Sequence, residues 1–368
     1  MFQLKELHIQ NFKNIKSVHL DFDSKYVFFI GDNGVGKTNL LDAIHYLSLG
    51  RSYFNVIENQ NVNHDETFFN LKGVFLKEKK PDTIFCAYIR NHRKNIKKNG
   101  TQYEKFSAHL GQYPVVIVTP YDIDLIIGGN EERRRFIDII SAQVDRTYFE
   151  HLSKYNHSLK QRNAQLKMMN ERNQTEHSLI SVYDDLLHYH GHEIYNYRKE
   201  FFIYFHEHFN RFYREVSGDM EKVEIVYKSQ LANSQLLKQL RDGFRKDLML
   251  QRTNYGIHKD EIDFLINNYP LKKFGSQGQQ KSFLMALKLS QFQVILDNKN
   301  IPPILLLDDI FDRLDENRVS NLLDIIAKGP FGQVFITDTS EGSIRDIFGR
   351  INITGQLFRL ENGQIISN

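Results

Sequence analysis

The sequence predicts an α/β protein whose mixed sheet is formed by both termini, with a helical second lobe inserted between them. Three observations carry this reading. Short apolar runs, rich in β-branched and aromatic residues, gather towards the two ends of the chain. The stretch between them is poor in glycine and proline and shows long helical periodicity. A glycine-rich loop follows an early strand and opens a helix, an arrangement that binds phosphate. On this division residues 1–128 with 301–368 form one lobe and residues 129–300 the other.

The elements follow in order. Leu4, Leu7, Ile9 and Phe12 are apolar among polar neighbours, and residues 15–22 repeat the alternation after a turn near Asn11 and Asn14. Tyr26–Ile30 is apolar throughout and runs into glycine, which marks a buried strand ending in a loop. Leu40, Ile44 and Leu47 have helical spacing, and Gly50 closes that helix. Residues 68–75, 83–89 and 113–118 read as further strands. Among them Arg90, Arg93, Lys94, Lys97 and Lys98 form a basic stretch before the turn signal Asn99-Gly100. As an exposed hairpin tip it would touch DNA phosphates, and a plain solubilising loop is the equal alternative. Helical periodicity covers 131–215 and 277–297, with a strand-like 223–227 between. Pro302 and Pro303 end that region. Residues 304–307 and 334–337 read as buried strands, 318–328 as a helix, and 357–366 as a terminal hairpin around Asn362-Gly363.

Composition bounds the function classes. The chain has 368 residues, and 48 Lys+Arg nearly balance 45 Asp+Glu, so charge permits a nucleic-acid partner without requiring one. Cys86 is the single cysteine, which excludes an intrachain disulfide and a cysteine-built metal site. The N-terminus is charged where a signal peptide needs an apolar core, and no apolar run approaches the roughly 18 residues of a membrane span. A cytoplasmic protein is expected.

Gly31-Asp32-Asn33-Gly34-Val35-Gly36-Lys37-Thr38 matches the P-loop pattern G-x4-G-K-S/T in full, between a buried strand and a helix. Glycines let the backbone N–H groups turn inward around a phosphate, and the helix N-terminus adds a favourable dipole. Lys37 would reach the β- and γ-phosphates of ATP and Thr38 would hold Mg²⁺; with Asn39 these residues make the nucleotide-binding set. Asp308 and Asp309 follow four apolar residues at a strand end. Asp308 would hold Mg²⁺ and Asp309 would orient or deprotonate the attacking water; a helix-capping pair is the plainer alternative. Lys37, Asp308 and Asp309 are therefore the candidate catalytic residues. Ser276, Gln277, Gly278, Gln279 and Gln280 open an apolar helix and present donors for a phosphate, or simply start that helix.

These three motifs, in this order, resemble the ABC/SMC-head-type P-loop ATPases. With about 170 residues between the two halves and no sustained heptads, the chain is most similar to the compact RecF family of DNA replication and repair proteins. The stretches 120–138, 253–260 and 306–322 look like that family's own signatures. Departures from the family pattern are Asn130 for proline, Ile257 and Lys259 around His258, Asp312-Arg313 before Leu314-Asp315, and Lys13 for arginine. Lysine at 13 keeps the charge and loses the planar fork.

The resemblance implies a slow DNA-dependent ATPase that forms an ATP-driven head-to-tail homodimer. Ser276, Gly278 and Gln280 would complete the partner subunit's ATP site, and Asp315 would lie at the dimer seam. Thr337 to Thr339 stand where related ATPases place a switch residue. The dimer would clamp duplex or gapped DNA, help load recombinase with RecR-like and RecO-like proteins, and let go on hydrolysis. The alternatives are an ABC-type ATPase of a defence or other non-DNA system, and a nucleotide-binding structural protein.

Other features weigh less. In Arg133-Arg134-Arg135, consecutive helical residues cannot share one face, so at most two act together. His188, His190, His192, His206 and His208 read as surface and packing residues rather than a metal site. The aromatics of 195–213 read as a helical core.

Overall fold

The computed structural model describes residues 2–218, 221–233, 235–310, 316–342, 349, 353–361 and 364–367. The chain divides into two compact units. Unit 1 holds residues 1–122, 215–218 and 281–368, and unit 2 holds 123–214 and 219–280. The expected boundaries at 128 and 300 differ from these because most of the last long helix packs into unit 1.

Unit 1 begins with β1 (Phe2–Phe12), β2 (Ile15–Asp21), β3 (Tyr26–Ile30), α1 (Lys37–Leu49), β4 (Phe68–Lys77), β5 (Lys80–Ile89), β6 (Asn95–Lys98), β7 (Thr101–Gln102) and β8 (Val115–Val118). Unit 2 follows with α2 (Asp124–Ile127), α3 (Asn130–Val144), α4 (Arg146–Glu171), α5 (Ser181–Ser217, its last residues from Glu215 counted in unit 1), β9 (Val223–Lys228), α6 (Leu236–Asp242), α7 (Phe244–Leu250), β10 (Glu261–Ile266), β11 (Tyr269–Pro270) and α8 (Leu271–Phe274). The helix α9 (Gln277–Lys299) leads back into unit 1, which ends with β12 (Ile304–Asp308), α10 (Glu316–Lys328), β13 (Val334–Asp338), β14 (Gln356–Glu361) and β15 (Gln364–Ser367).

Unit 1 has two six-stranded sheets. One is antiparallel, in the order β2-β1-β4-β5-β6-β7. The other runs β15-β14-β3-β13-β12-β8, parallel except for the β14–β15 hairpin. It is thus the mixed sheet that the sequence assigns to both termini. Helix α1 touches strands of both sheets, and nearly all its residues are buried, Asp42 and His45 included. A helix covered on all sides needs no polar face. The two sheets are tied directly by Gln333. Its side chain accepts from Leu4 N at 2.8 Å and donates to Leu4 O at 3.1 Å. That amide satisfies the backbone of β1 next to its register shift between Leu4 and Glu6. Phe29 stacks on Phe335 and meets Phe358 at a tilt, all three on neighbouring parallel strands, and Phe22 packs edge-on against them.

The first turns of α9 belong to unit 2, but from Lys281 it is a unit 1 helix. Lys288 is buried and donates to Asp122 Oδ1 at 2.7 Å and Ile117 O at 2.9 Å. Phe292 packs on Phe331, ring centroids 4.4 Å apart.

Unit 2 is helical with one three-stranded sheet, β11-β10-β9. Of that sheet the sequence reading identified only β9. The β10–β11 turn is Asn267-Asn268, both at positive φ, so asparagine supplies a tight hairpin turn without glycine. Helical periodicity over 131–215 is interrupted at Asp145, whose carboxylate caps α4 through Thr147 N and Tyr148 N. Two buried arginines hold the unit together. Arg162 binds Asp184, Asp247 and Thr253 at 2.6, 2.7 and 2.9 Å. Arg198 binds Asp138 and Asp260, both at 2.8 Å.

Gly73 of β4 lies close against α1. A Cβ there would lie 2.8 Å from Leu47 Cδ1 and 3.2 Å from Leu4 Cδ1. Gly73→Leu is expected to cost about 1–3 kcal/mol through overpacking. A lowered urea midpoint at unchanged m-value checks this, and a wild-type midpoint would mean the helix–sheet contact yields freely.

Candidate nucleotide site

The P-loop sits where β3 ends, beside the ends of its parallel neighbours. Crevices beyond the carboxyl ends of parallel strands are where open α/β sheets bind ligands. Two glycines are required sterically. A Cβ on Gly31 would overlap the carbonyl oxygen of Leu360, and Gly36 has φ +113 with Asn14 Oδ1 at 3.0 Å from the position of its missing Cβ. Asn14 braces the loop. It donates to Gly34 O at 3.2 Å and accepts from Asn39 Nδ2 at 2.7 Å. The sequence reading assigned Asn14 only to a turn. Lys37 Nζ folds back on Gly31 O at 2.5 Å and Asp32 O at 3.0 Å.

The acid pair lies opposite. Asp308, at the end of β12, is buried, and Thr38 Oγ1 stands 2.9 and 3.0 Å from its two carboxylate oxygens. Thr337, adjacent on β13 and fully buried, makes two bonds there. Its hydroxyl donates to Asp308 Oδ1 at 2.8 Å and accepts from Asp309 N–H at 3.0 Å. Asp309 is held at φ +48, an uncommon conformation for a non-glycine residue, and its Oδ1 is buried without a hydrogen-bond partner. Burial pushes the Asp308 carboxyl above its usual range. The Thr337 and Thr38 hydroxyls oppose that shift, and the Asp309 charge adds to it. Burial lowers the Lys37 ammonium against the pull of Asp309, Asp308, Asp338 and Asp32. One lysine among four acids leaves local negative charge. The hard oxygens of Thr38 and Asp308, with a raised carboxyl and an orphaned carboxylate oxygen beside them, fit Mg²⁺. Once bound, the ion would neutralise phosphate charge. The chain itself holds Asp308 and Thr38 together, with Asp309 next to them at the strand end.

The other sequence candidates fall elsewhere. Ser276 and Gln279 form a reciprocal capping box at the start of α9. Ser276 Oγ accepts from Gln279 N at 3.2 Å, and Gln279 Oε1 accepts from Ser276 N at 2.7 Å. Gln280 donates to Gly275 O at 3.0 Å, and Ser276 and Gln277 are exposed. Gln277, Gly278 and their neighbours up to Gln280 belong to unit 2, whereas the P-loop and the acids belong to unit 1. Asp315, with Asp312, Arg313 and Leu314, lies outside the described residues. Lys13 is bound to the buried Asp42 of α1 at 2.6 Å.

Several motif residues prove to be braces. Arg133 donates to the carbonyls of Leu125, Ile126 and Ile262, and Arg134 to that of Asp260, while Arg135 is exposed. Asn130 opens α3 and accepts from Ile262 N at 2.9 Å, a bond that proline at this position could not make. In the 253–260 stretch, His258 Nε2 faces Thr253 O at 3.1 Å and Nδ1 faces Tyr155 OH at 2.7 Å. A carbonyl only accepts, so Nε2 carries the proton; burial lowers the ring's pKa to about 4. His188 and His192 stack, and no third ligand joins them among the described residues.

Fold and site together define a P-loop ATPase. A family model described as an AAA ATPase domain matches residues 2–260. The chain is 42% identical to the DNA replication and repair protein RecF of Flavobacterium johnsoniae, over 97% of this chain and 99% of that protein. It is 39% identical to RecF of Bacteroides fragilis, over 98% and 97%. A solved structure described as the recombination mediator protein RecF with ATP, in the RecFOR pathway, superposes with a TM-score of 0.89 at 30% identity, covering 99% of this chain and 97% of that one. The Smc head domain of Pyrococcus furiosus, at 16% identity, 100% and 96% coverage and a TM-score of 0.56, shares the fold. The chain belongs to the RecF family of DNA replication and repair proteins. No described helix is long and apolar enough to cross a membrane.

Two outcomes test this geometry. A carboxyl raised by folding contributes stability below its unfolded value, near 4, and loses it as pH rises. At neutral pH, Asp308→Asn is therefore expected to raise the melting temperature of the nucleotide-free protein by a few degrees while removing Mg²⁺-dependent ATP binding. A lower melting temperature with Mg-ATP affinity intact would contradict both. Thr337→Val is expected to lower kcat for hydrolysis by about tenfold, ~1.4 kcal/mol, with Thr337→Ser close to wild type. Wild-type turnover in the valine variant would release Thr337 from any part in the site.

Proposed function

We propose that the protein is a slow, DNA-dependent ATPase whose two copies sandwich ATP head to tail and clamp DNA between them. The observation that supports this most is the contact between Thr38 and Asp308, 270 residues apart, which assembles a Mg²⁺-nucleotide site. The nucleotide set is Gly31, Asp32, Asn33, Gly34, Val35, Gly36, Lys37, Thr38 and Asn39, with Thr38 and Asp308 on Mg²⁺ and Asp309 as base. The helix-opening segment Ser276 to Gln280, exposed at Ser276 and Gln277, completes the site of the second copy, with Asp315 at the seam. ATP binding closes the clamp on duplex or gapped DNA, and hydrolysis opens it. The relatives' name, and the ATP-bound recombination mediator among the structural neighbours, support this over a defence-system or purely structural role. They also support RecR-like and RecO-like partners and a cytoplasmic place of action.

Light scattering of Asp309→Asn with Mg-ATP tests the clamp. The expected result is a doubled mass that co-elutes with added duplex DNA, and no doubling in Lys37→Met. A monomer that ignores both ATP and DNA would overturn the reading.

A further inference from the structure

The basic segment that stands out in the sequence is largely spent inside unit 1. Arg90 donates to the carbonyls of Glu66, Asn59, Val62 and Asn63. Lys94 binds Glu58 and Gly50 O, and Lys98 binds Asp82. Cations already paired have little to offer a polyanion, because binding it would break what they hold.

A different set in unit 2 is free. The consecutive short helices α6 and α7 expose Lys238, Arg241, Arg245 and Lys246, and Arg252 follows directly. None of these side chains has an ion-pair or hydrogen-bond partner among the described residues. Of the two acids in the segment, Asp247 is buried on Arg162 and only Asp242 is exposed. Helix α4 packs against α7, with Asn170 donating to Leu248 O at 3.3 Å and accepting from Gln251 Nε2 at 3.0 Å. That contact sets the end of α4, with exposed Lys167, Glu171 and the C-cap Arg172, beside the same surface, two cations to one acid. Lys238 and Arg241 stand three apart on one helix, where like charges repel unless an anion lies across them.

We propose that the α6–α7 face of unit 2 is a sequence-independent docking surface for the phosphate backbone of duplex DNA. The inference rests on the DNA-binding reading above and gives it a location. Unpaired guanidinium and ammonium groups suit phosphate oxygens, and their binding releases condensed counterions. Single-strand binding draws on exposed aromatic platforms. Phe244, the aromatic residue of this segment, is buried, and its exposed apolar side chains are Met249 and Leu250.

The test is fluorescence anisotropy of a labelled mixed-sequence duplex against the full chain with Mg-ATP, across a salt series. The variant carries Arg241→Gln, Arg245→Gln, Lys246→Gln and Arg252→Gln. Its DNA affinity is expected to fall at least tenfold at low salt. Its slope of log K against log salt should be shallower by roughly 3.6, as each of the four lost phosphate contacts removes about 0.9. ATP affinity and circular dichroism should match wild type, since these side chains hold no hydrogen bond or ion pair among the described residues. Wild-type affinity and slope in a folded variant would overturn this surface and leave the DNA reading standing. Loss of an acidic protein partner with duplex binding intact would also overturn it. A wild-type chain that ignores duplex DNA would instead defeat the DNA reading itself.

Discussion

The hydroxyl of Thr38 on the carboxylate of Asp308 is the contact that the rest of unit 1 exists to make. The two residues begin 270 positions apart and meet at 2.9 Å. Parallel pairing of β3 with β13, and of β13 with β12, brings the strand ends level. Register matters here to the residue, because a one-residue slip in a strand turns each side chain to the opposite face. The stacked phenylalanines and the packing of α1 between strands of both sheets hold that register. Polar chemistry at the strand ends is thus supported by an almost wholly apolar set of strands. Asp308 is left buried, with a raised carboxyl and a strained acid beside it. Such a site is costly without a cation and suited to one.

A second constraint runs through both units: several buried charges are paired with opposite charges far away in sequence. Lys13 meets Asp42, Lys288 meets Asp122, Arg162 meets Asp184 and Asp247, and Arg198 meets Asp138 and Asp260. Removing one member of such a pair leaves an uncompensated buried charge, at a cost of about 3–5 kcal/mol. Short stretches that carry the family resemblance are likewise drawn into internal bracing, His258 of 253–260 and Arg133 and Arg134 of the triple arginine among them. Such pairing also separates cations that hold the fold from those still able to meet a partner. On that criterion the surface of α6 and α7 differs from the segment around Arg90.

The sequence by itself was enough to read the P-loop, the acid pair and most of the strands around them. A P-loop is local. Glycines, lysine and threonine at set spacing are legible because one turn of backbone makes the cradle. Buried parallel strands are legible too, as runs of Val, Ile, Leu and Phe with no polar face. The acid pair was readable because it directly follows such a run.

Only the tertiary structure decided what depends on a neighbour from elsewhere in the chain. Thr337 becomes a clamp because β13 lies beside β12, and Asn14 becomes a loop brace because its turn meets Gly34. The β10–β11 hairpin escaped notice because two asparagines take the place of glycine in its turn. Helix α9 changes unit at Lys281, and its unit 1 part carries Lys288 to the distant Asp122. Periodicity records which face of an element is apolar. It carries no information on which distant partner covers that face, and pairing between distant strands and charges is settled only when the whole chain packs.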